Sequence, residues 1–155
     1  MMRMLTKIDH VNLVVRDLPG MIAFYTNVLG LTVSKSVTIS GPWIESVVGL
    51  KDVRANVVYL ELPQGPRVEM VEYLSPLGDR PAGVDQPHAQ GIGHLAFRVD
   101  DIDAAFAKLR DAGAKVIGDV QQVPDEQVKY SGGIRKRLVY FHDPEGNLLE
   151  LCEYR

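Results

Sequence analysis

The chain has 155 residues and a formal net charge of -3. That length suits one domain with a sizeable core, and with this slightly acidic balance no bulk basic character points to nucleic acid. No apolar run approaches the ~20 residues of a membrane span, and the opening MMRMLTKIDH is too short and too polar for a signal peptide, so the expected location is cytoplasmic. Cys152 is the single cysteine, which excludes an internal disulfide and a thiolate zinc cage. Any metal site must therefore use histidine, carboxylate and water.

In chain order, residues 7–15 alternate and are rich in Val, Ile and Leu, which predicts a strand. Asp17 then precedes a helix over about 18–28, as its N-cap, with Pro19 and Gly20 in the first turn. Met21, Phe24, Tyr25 and Val28 form the apolar stripe of that helix, and Gly30 stops it. Strands are predicted near 31–39, 54–62 and 67–74. The stretch G-P-W-I-E-S-V-V-G-L between the first two of these reads as a loop with at most a helical turn.

Residues 76–91 are rich in Pro and Gly and read as a linker, with module one at about 7–75 and module two at about 92–155. Module two runs the same way. A strand over 92–99 leads to Asp101 or Asp103 at the start of a helix that carries Ile102, Ala105, Phe106 and Leu109 and ends at Gly113. Strands near 114–119, 136–142 and 147–154 follow. Asp143-Pro144-Glu145-Gly146-Asn147 joins the last two as a hairpin turn. The long segment 121–133, with Tyr130 and Gly132-Gly133, reads as a lid over a site or as a mobile surface loop.

The two modules are copies of one unit. I-D-H-V-N-L-V-V-R-D-L recurs as I-G-H-L-A-F-R-V-D-D-I, matching His10 to His94 and Asp17 to Asp101; V-E-M-V-E-Y recurs as L-E-L-C-E-Y, matching Glu69 to Glu150. Each half is βαβββ, an α+β class of two tandem modules. Strand side chains alternate between faces. His10, Asn12 and Val14 share one face, opposite the apolar Val11, Leu13 and Val15, which should pack under the helix. His94, Ala96 and Arg98 likewise oppose Leu95, Phe97 and Val99. In the last strands Glu69, Val71 and Tyr73 share a face, as do Glu150, Cys152 and Tyr154. Each half thus turns one His and one Glu away from its helix. If the two curved sheets face one another, His10, Glu69, His94 and Glu150 converge as a ligand set for one divalent Ni, Co, Mn, Zn or Fe ion, with positions left for water or substrate.

These segments, with F-Y-T-N-V-L-G-L and F-H-D-P-E-G-N-L-L-E-L-C-E, resemble the vicinal oxygen chelate superfamily, which includes glyoxalase I, methylmalonyl-CoA epimerase, extradiol dioxygenases and bleomycin-binding proteins. The resemblance implies a cupped mixed sheet around a metal held by His10, Glu69, His94 and Glu150. It implies a single domain over 1–155, often as a homodimer. The ligand set looks like bacterial glyoxalase I; V-E-M-V-E-Y-L-S-P and L-L-E-L-C-E look like methylmalonyl-CoA epimerase.

The expected function is a metal-dependent isomerase, epimerase or lyase acting on a small carbonyl or vicinal-oxygen substrate through a metal-stabilised enolate. The alternatives are an Fe(II) ring-cleaving dioxygenase and a bleomycin-resistance-type binding protein. Glu150 or Glu69 is the expected proton-transfer group, with Glu45 as an outside candidate or a plain surface residue. Asn12, Arg98 and Tyr73 are expected to orient substrate, Arg98 through a carboxylate or phosphate. Cys152 reads as a buried, inert thiol, and His88 and His142 as surface residues. Neither a nucleic acid nor a membrane partner is expected.

Overall fold

The computed structural model describes residues 2–155, which form two units divided between Asp79 and Arg80. In the first, β1 (His10–Val14) leads to α1 (Leu18–Ala23), β2 (Thr32–Ser40), α2 (Pro42–Val48), β3 (Arg54–Glu61) and β4 (Arg67–Ser75). In the second, β5 (Leu95–Arg98) leads to α3 (Ile102–Asp111), β6 (Lys115–Gln122), β7 (Lys136–His142) and β8 (Leu148–Tyr154). The βαβββ pattern predicted for each half is present.

Each unit has one four-stranded mixed sheet, ordered β1-β4-β3-β2 and β5-β8-β7-β6. The first strand of each sheet lies parallel to the last, and the other pairings are antiparallel. The parallel pairing follows from the connections: the helix carries the chain from the first strand to the far edge of the sheet, and two antiparallel turns bring the last strand back beside the first, running in the same direction. The faces divide as the alternation predicts. Val15, Val68 and Met70 are buried in the first unit, with Leu18 and Met21 of α1, and Leu149 and Leu151 in the second, with Ile102 and Leu109 of α3.

Both helices are capped as predicted. Asp17 Oδ1 accepts from the Gly20 N–H at 3.1 Å, and Asp101 Oδ1 from the Ala104 N–H at 3.0 Å. A second pair of carboxylates performs a role that the sequence reading did not assign. Glu153 Oε2 accepts from the Ile102 N–H at 2.9 Å, and Glu72 Oε1 from the Leu18 N–H at 3.3 Å. In E-x-x-E on a strand, the odd spacing sends the two carboxylates to opposite faces. Glu69 and Glu150 face away from the helices, while Glu72 and Glu153 satisfy the first helical N–H groups, which have no intrahelical partner.

Several boundaries differ from expectation. The first helix is α-helical only to Ala23 and continues over Phe24–Val28 with π geometry. The Thr26 hydroxyl donates to the carbonyls of Ile22 at 2.8 Å and Ala23 at 3.4 Å, in competition with the backbone ladder. Gly30 then ends the helical run at φ 83°. The stretch expected as a loop after β2 contains the helix α2, with Pro42 in its first turn. β5 begins one residue after His94, which therefore precedes the strand.

The expected linker does not stand apart from both modules. Its residues from Arg80 onward belong to the second unit, where Arg80 Nη1 lies 3.4 Å from Asn147 Oδ1 and the Asp85 carbonyl 3.2 Å from His142 Nε2. His142 is consequently buried at 7% exposure, against the expectation of a surface residue, while His88 is exposed. The Asp143–Asn147 turn is held by the Asp143 carboxylate, which accepts from the N–H groups of Glu145 and Asn147 at 3.0 Å and from the Asn147 side chain at 2.8 Å. Gly146, at φ 83°, supplies the left-handed position that the turn needs. Among the described residues no helix is long and apolar enough to cross a membrane.

Candidate metal and substrate site

In the first unit, His10 opens β1, and Glu69 lies in β4, with Asn12 opposite Glu69 in register. His10 Nε2 stands 3.6 Å from Glu69 Oε1, and the Asn12 amide donates to the same carboxylate oxygen at 2.8 Å. On the other side of the ring, His10 Nδ1 is 2.8 Å from Asp9 Oδ2. A carboxylate can only accept, so Nδ1 donates to Asp9; in the neutral form of the ring this leaves the lone pair on Nε2. Arg67 completes this outer layer, with Nη2 2.6 Å from Asp9 Oδ2 and its guanidinium over the Tyr59 ring at 4.5 Å. The His10 hydrogen bond and then Arg67 hold the Asp9 carboxyl below its ordinary pKa. Carboxylate–histidine pairs of this kind orient metal-binding imidazoles.

The second unit repeats the pair with different neighbours. His94 Nε2 lies 3.4 Å from Glu150 Oε1. Lys136 Nζ approaches the other oxygen, Oε2, at 3.4 Å. Burial alone would depress the Lys136 ammonium, but a hydrogen bond with Tyr154 and the Glu150 charge outweigh it, and its pKa is raised. Arg98 lies over the Tyr154 ring at 5.1 Å, and Tyr130 meets the same ring edge-on at 5.5 Å. Tyr130 thus ties the 121–133 segment to the site face, where Ser131–Gly133 form a short 3₁₀ turn.

The two half-sets are asymmetric in an ordered way. Where the first unit has Asn12 beside its glutamate, the second has Ala96. At the position corresponding to Lys136, the first unit has Ala55, a fully buried residue of an apolar cluster with Val57 and Val71. Tyr73 packs against that cluster, so its side chain floors the site face. Glu45 lies in the first turn of α2.

Within each unit the His–Glu spacing suits two ligands of one ion. Two donors about 2.1 Å from one metal, at angles between octahedral and tetrahedral, lie about 3.0–3.4 Å apart. The His–Glu separations of 3.6 and 3.4 Å are within reach of that spacing. Each is a pair: among the described residues no group of three or more His, Cys, Asp or Glu side chains is gathered at metal-binding distance.

The sequence reading missed two tyrosines. Tyr59 and Tyr140 stand opposite Glu69 and Glu150 in register, and their rings lie 6.0 and 4.8 Å from those of His10 and His94. A hydrogen bond to Glu69 and then burial push the Tyr59 phenol up, whereas for Tyr140 burial leads and the Glu150 charge adds to it. The signal was present as V-V-Y-L against L-V-Y-F, a third repeated segment.

Comparison with known proteins identifies the family. The sequence profile of the glyoxalase/bleomycin resistance protein/dioxygenase superfamily matches residues 7–151. The chain belongs to that superfamily. It is 32% identical to the uncharacterized protein YaeR of Escherichia coli over 96% of this chain and 97% of the relative. With the ethylmalonyl-CoA/methylmalonyl-CoA epimerase of Cereibacter sphaeroides it shares 34% identity over 74% of this chain and 77% of the relative. The crystal structure of a glyoxalase family protein from Bacillus cereus aligns with a TM-score of 0.84 at 27% identity, covering 98% of this chain and 96% of that one. The superfamily thus includes epimerases and supports the α+β fold read from the sequence.

Cys152 lies two positions from Glu150, with its thiol pushed up by burial first and then by the Glu150 charge. At 6% exposure it is shielded from reagents. Native protein at neutral pH is therefore expected to react with a thiol reagent such as DTNB at least about 100-fold more slowly than protein unfolded in guanidinium chloride. Equal rates would show that this face opens freely.

Proposed function

We propose that the chain is a divalent-metal-dependent isomerase or epimerase of a small carbonyl substrate, with His10, Glu69, His94 and Glu150 as its ligand set and a homodimer as its assembly. The observation that carries this reading is the repeated pair: each unit holds an imidazole Nε2 and a carboxylate oxygen at 3.6 or 3.4 Å on the sheet face turned away from its helix. Each pair has a tyrosine ring beside it and lies apart from Glu72 and Glu153, the repeated carboxylates that serve the helix N-termini. The similarity to an ethylmalonyl-CoA/methylmalonyl-CoA epimerase supports epimerisation beside a carbonyl as the reaction class.

A divalent ion held by these residues would polarise a substrate carbonyl and stabilise the negative charge that develops on its oxygen as a neighbouring C–H loses its proton. The chain itself supplies the proton transfer and the orientation. Glu150 has one oxygen toward His94 and the other toward Lys136, which fixes the carboxylate in place. Glu69 is held by uncharged donors, Asn12 and Tyr59, and is the carboxylate freer to swing toward a substrate C–H. Glu69 is therefore assigned removal of the proton, and Glu150, once it has taken up a proton from the neighbouring Lys136 ammonium, its return. Arg98, beside Tyr154, would hold a carboxylate or phosphate on the substrate, and Asn12 would position Glu69.

The test is exchange of the substrate α-proton in D2O, followed by proton NMR, with metal-loaded protein and a panel that includes methylmalonyl-CoA and simpler 2-substituted β-keto acids and malonates. Exchange that requires metal and falls about 100-fold or more in Glu69→Gln is expected. Exchange at the wild-type rate in both Glu69→Gln and Glu150→Gln would overturn the assignment.

A further inference from the structure

The internal repeat also shows where the two units diverge on their helix-facing side. In the second unit, Arg137 lies opposite Glu153 in register and reaches the helix. Its guanidinium binds Asp103 through two contacts, 2.9 and 2.8 Å, and lies 3.7 Å from Glu153 Oε1. Arg155 adds a second cation, with Nε 2.9 Å from the same oxygen. An arginine side chain thus spans the space between sheet and helix.

The first unit keeps the carboxylate and lacks the arginine. Asn56 lies opposite Glu72, as Arg137 lies opposite Glu153. Pro19 takes the place of Asp103, two residues after the matching caps Asp17 and Asp101, and Leu74 takes the place of Arg155. Glu72 is partnered by two uncharged donors, the Leu18 N–H at 3.3 Å and the Asn56 side-chain amide at 3.2 Å. Where the guanidinium clamp lies in the second unit, the first has a groove of about 580 Å³ whose lining includes Pro19, Asn56 and Glu72. Leu18, Ile22 and Val58 give it apolar walls, and the Thr38 hydroxyl, which donates to Asn56 Oδ1 at 2.8 Å, lies on its floor.

We propose that this groove binds a small molecule carrying a guanidinium group on a short alkyl stem. The cation would face Glu72, and the stem would lie on Leu18, Ile22 and Val58. Three observations carry the assignment: a carboxylate held by neutral donors, a cavity in the size range of small-molecule sites, and a guanidinium at the corresponding place in the sister module. Planar guanidinium is weakly hydrated, which suits a site with one carboxylate and apolar walls. The groove lies on the opposite face of the sheet from His10 and Glu69, so the inference is independent of the metal reading.

The probe is n-propylguanidinium, which carries the atoms of an arginine side chain from Cβ outward. Its titration into ¹⁵N-labelled full-length protein is expected to give saturable shifts at the Leu18 backbone amide and the Asn56 side-chain amide. Asn56→Arg keeps Glu72 and its bond to Leu18 and fills the groove from within; it should remove the Leu18 shifts and raise the melting temperature. Glu72→Gln, which retains an acceptor for the Leu18 N–H, should weaken binding about tenfold or more, the scale of one charge-assisted hydrogen bond. The proposal is overturned by the absence of saturable shifts up to about 50 mM, beyond the millimolar range of weak specific binding. Binding left unchanged in either variant would overturn it equally.

Discussion

Replacing Glu150 with glutamine is expected to lower kcat/KM by about three orders of magnitude, the combined scale of losing a metal-binding oxygen and a proton-transfer group. The side chain is only 4% exposed and lies between His94 and Lys136. An amide of the same shape keeps the packing and removes the charge that both neighbours face. Lys136, at 18% exposure, retains Tyr154 and a route to water, so the fold should survive. Measured together, the rate should collapse while the far-ultraviolet circular dichroism stays unchanged. Full activity with reduced metal affinity would separate the two roles and remove Glu150 from proton transfer.

The second large effect is on stability. Glu153→Ala is expected to cost about 3 kcal/mol, because it orphans the buried Ile102 N–H and takes the carboxylate from Arg137 and Arg155. Glu153 is 1% exposed, so water cannot readily replace what is lost. Glu72→Ala in the first unit should cost about 1 kcal/mol, since its bond to Leu18 is longer, its other partner is the neutral Asn56, and it is only half-buried. Urea denaturation of the two variants tests this. Equal costs would mean that the arginines contribute nothing to the second unit's stability.

How far the sequence led differs from residue to residue. Strand alternation decides faces for His10, Glu69 and Glu150, whereas His94 precedes β5 and approaches Glu150 from outside the strand. Roles that depend on side-chain reach were hidden. Lys136 lies opposite Tyr154 in register, yet its ammonium extends along the sheet to Glu150. Nothing in R-K-R-L-V-Y separates that lysine from a solvated one. Glu72 and Glu153 were legible in principle, since odd spacing from Glu69 and Glu150 sends them under the helices, where the first N–H groups need an acceptor. The burial of His142 was not legible, because it follows from Asp85 in a segment whose Pro and Gly content reads as a free linker. The π stretch at Phe24–Val28, where the Thr26 hydroxyl donates to the Ile22 carbonyl, lies inside an apolar helical pattern that carries no signal for it.

The asymmetry between the half-sets bears directly on mechanism. Asn12 with Ala55 in one unit and Ala96 with Lys136 in the other give two glutamates different constraints from one repeated framework. On the proposed reading, the differently held carboxylates suit different parts in removal and return of a proton.

The most direct test of the central claim is elemental analysis of purified protein beside His10→Ala and Glu150→Ala. About one Ni, Co, Mn, Zn or Fe per chain is expected in the wild type, with the metal lost in both variants although one lies in each module. No metal bound under any loading condition, or metal retained in full by either variant, would contradict a single ion shared by the two pairs.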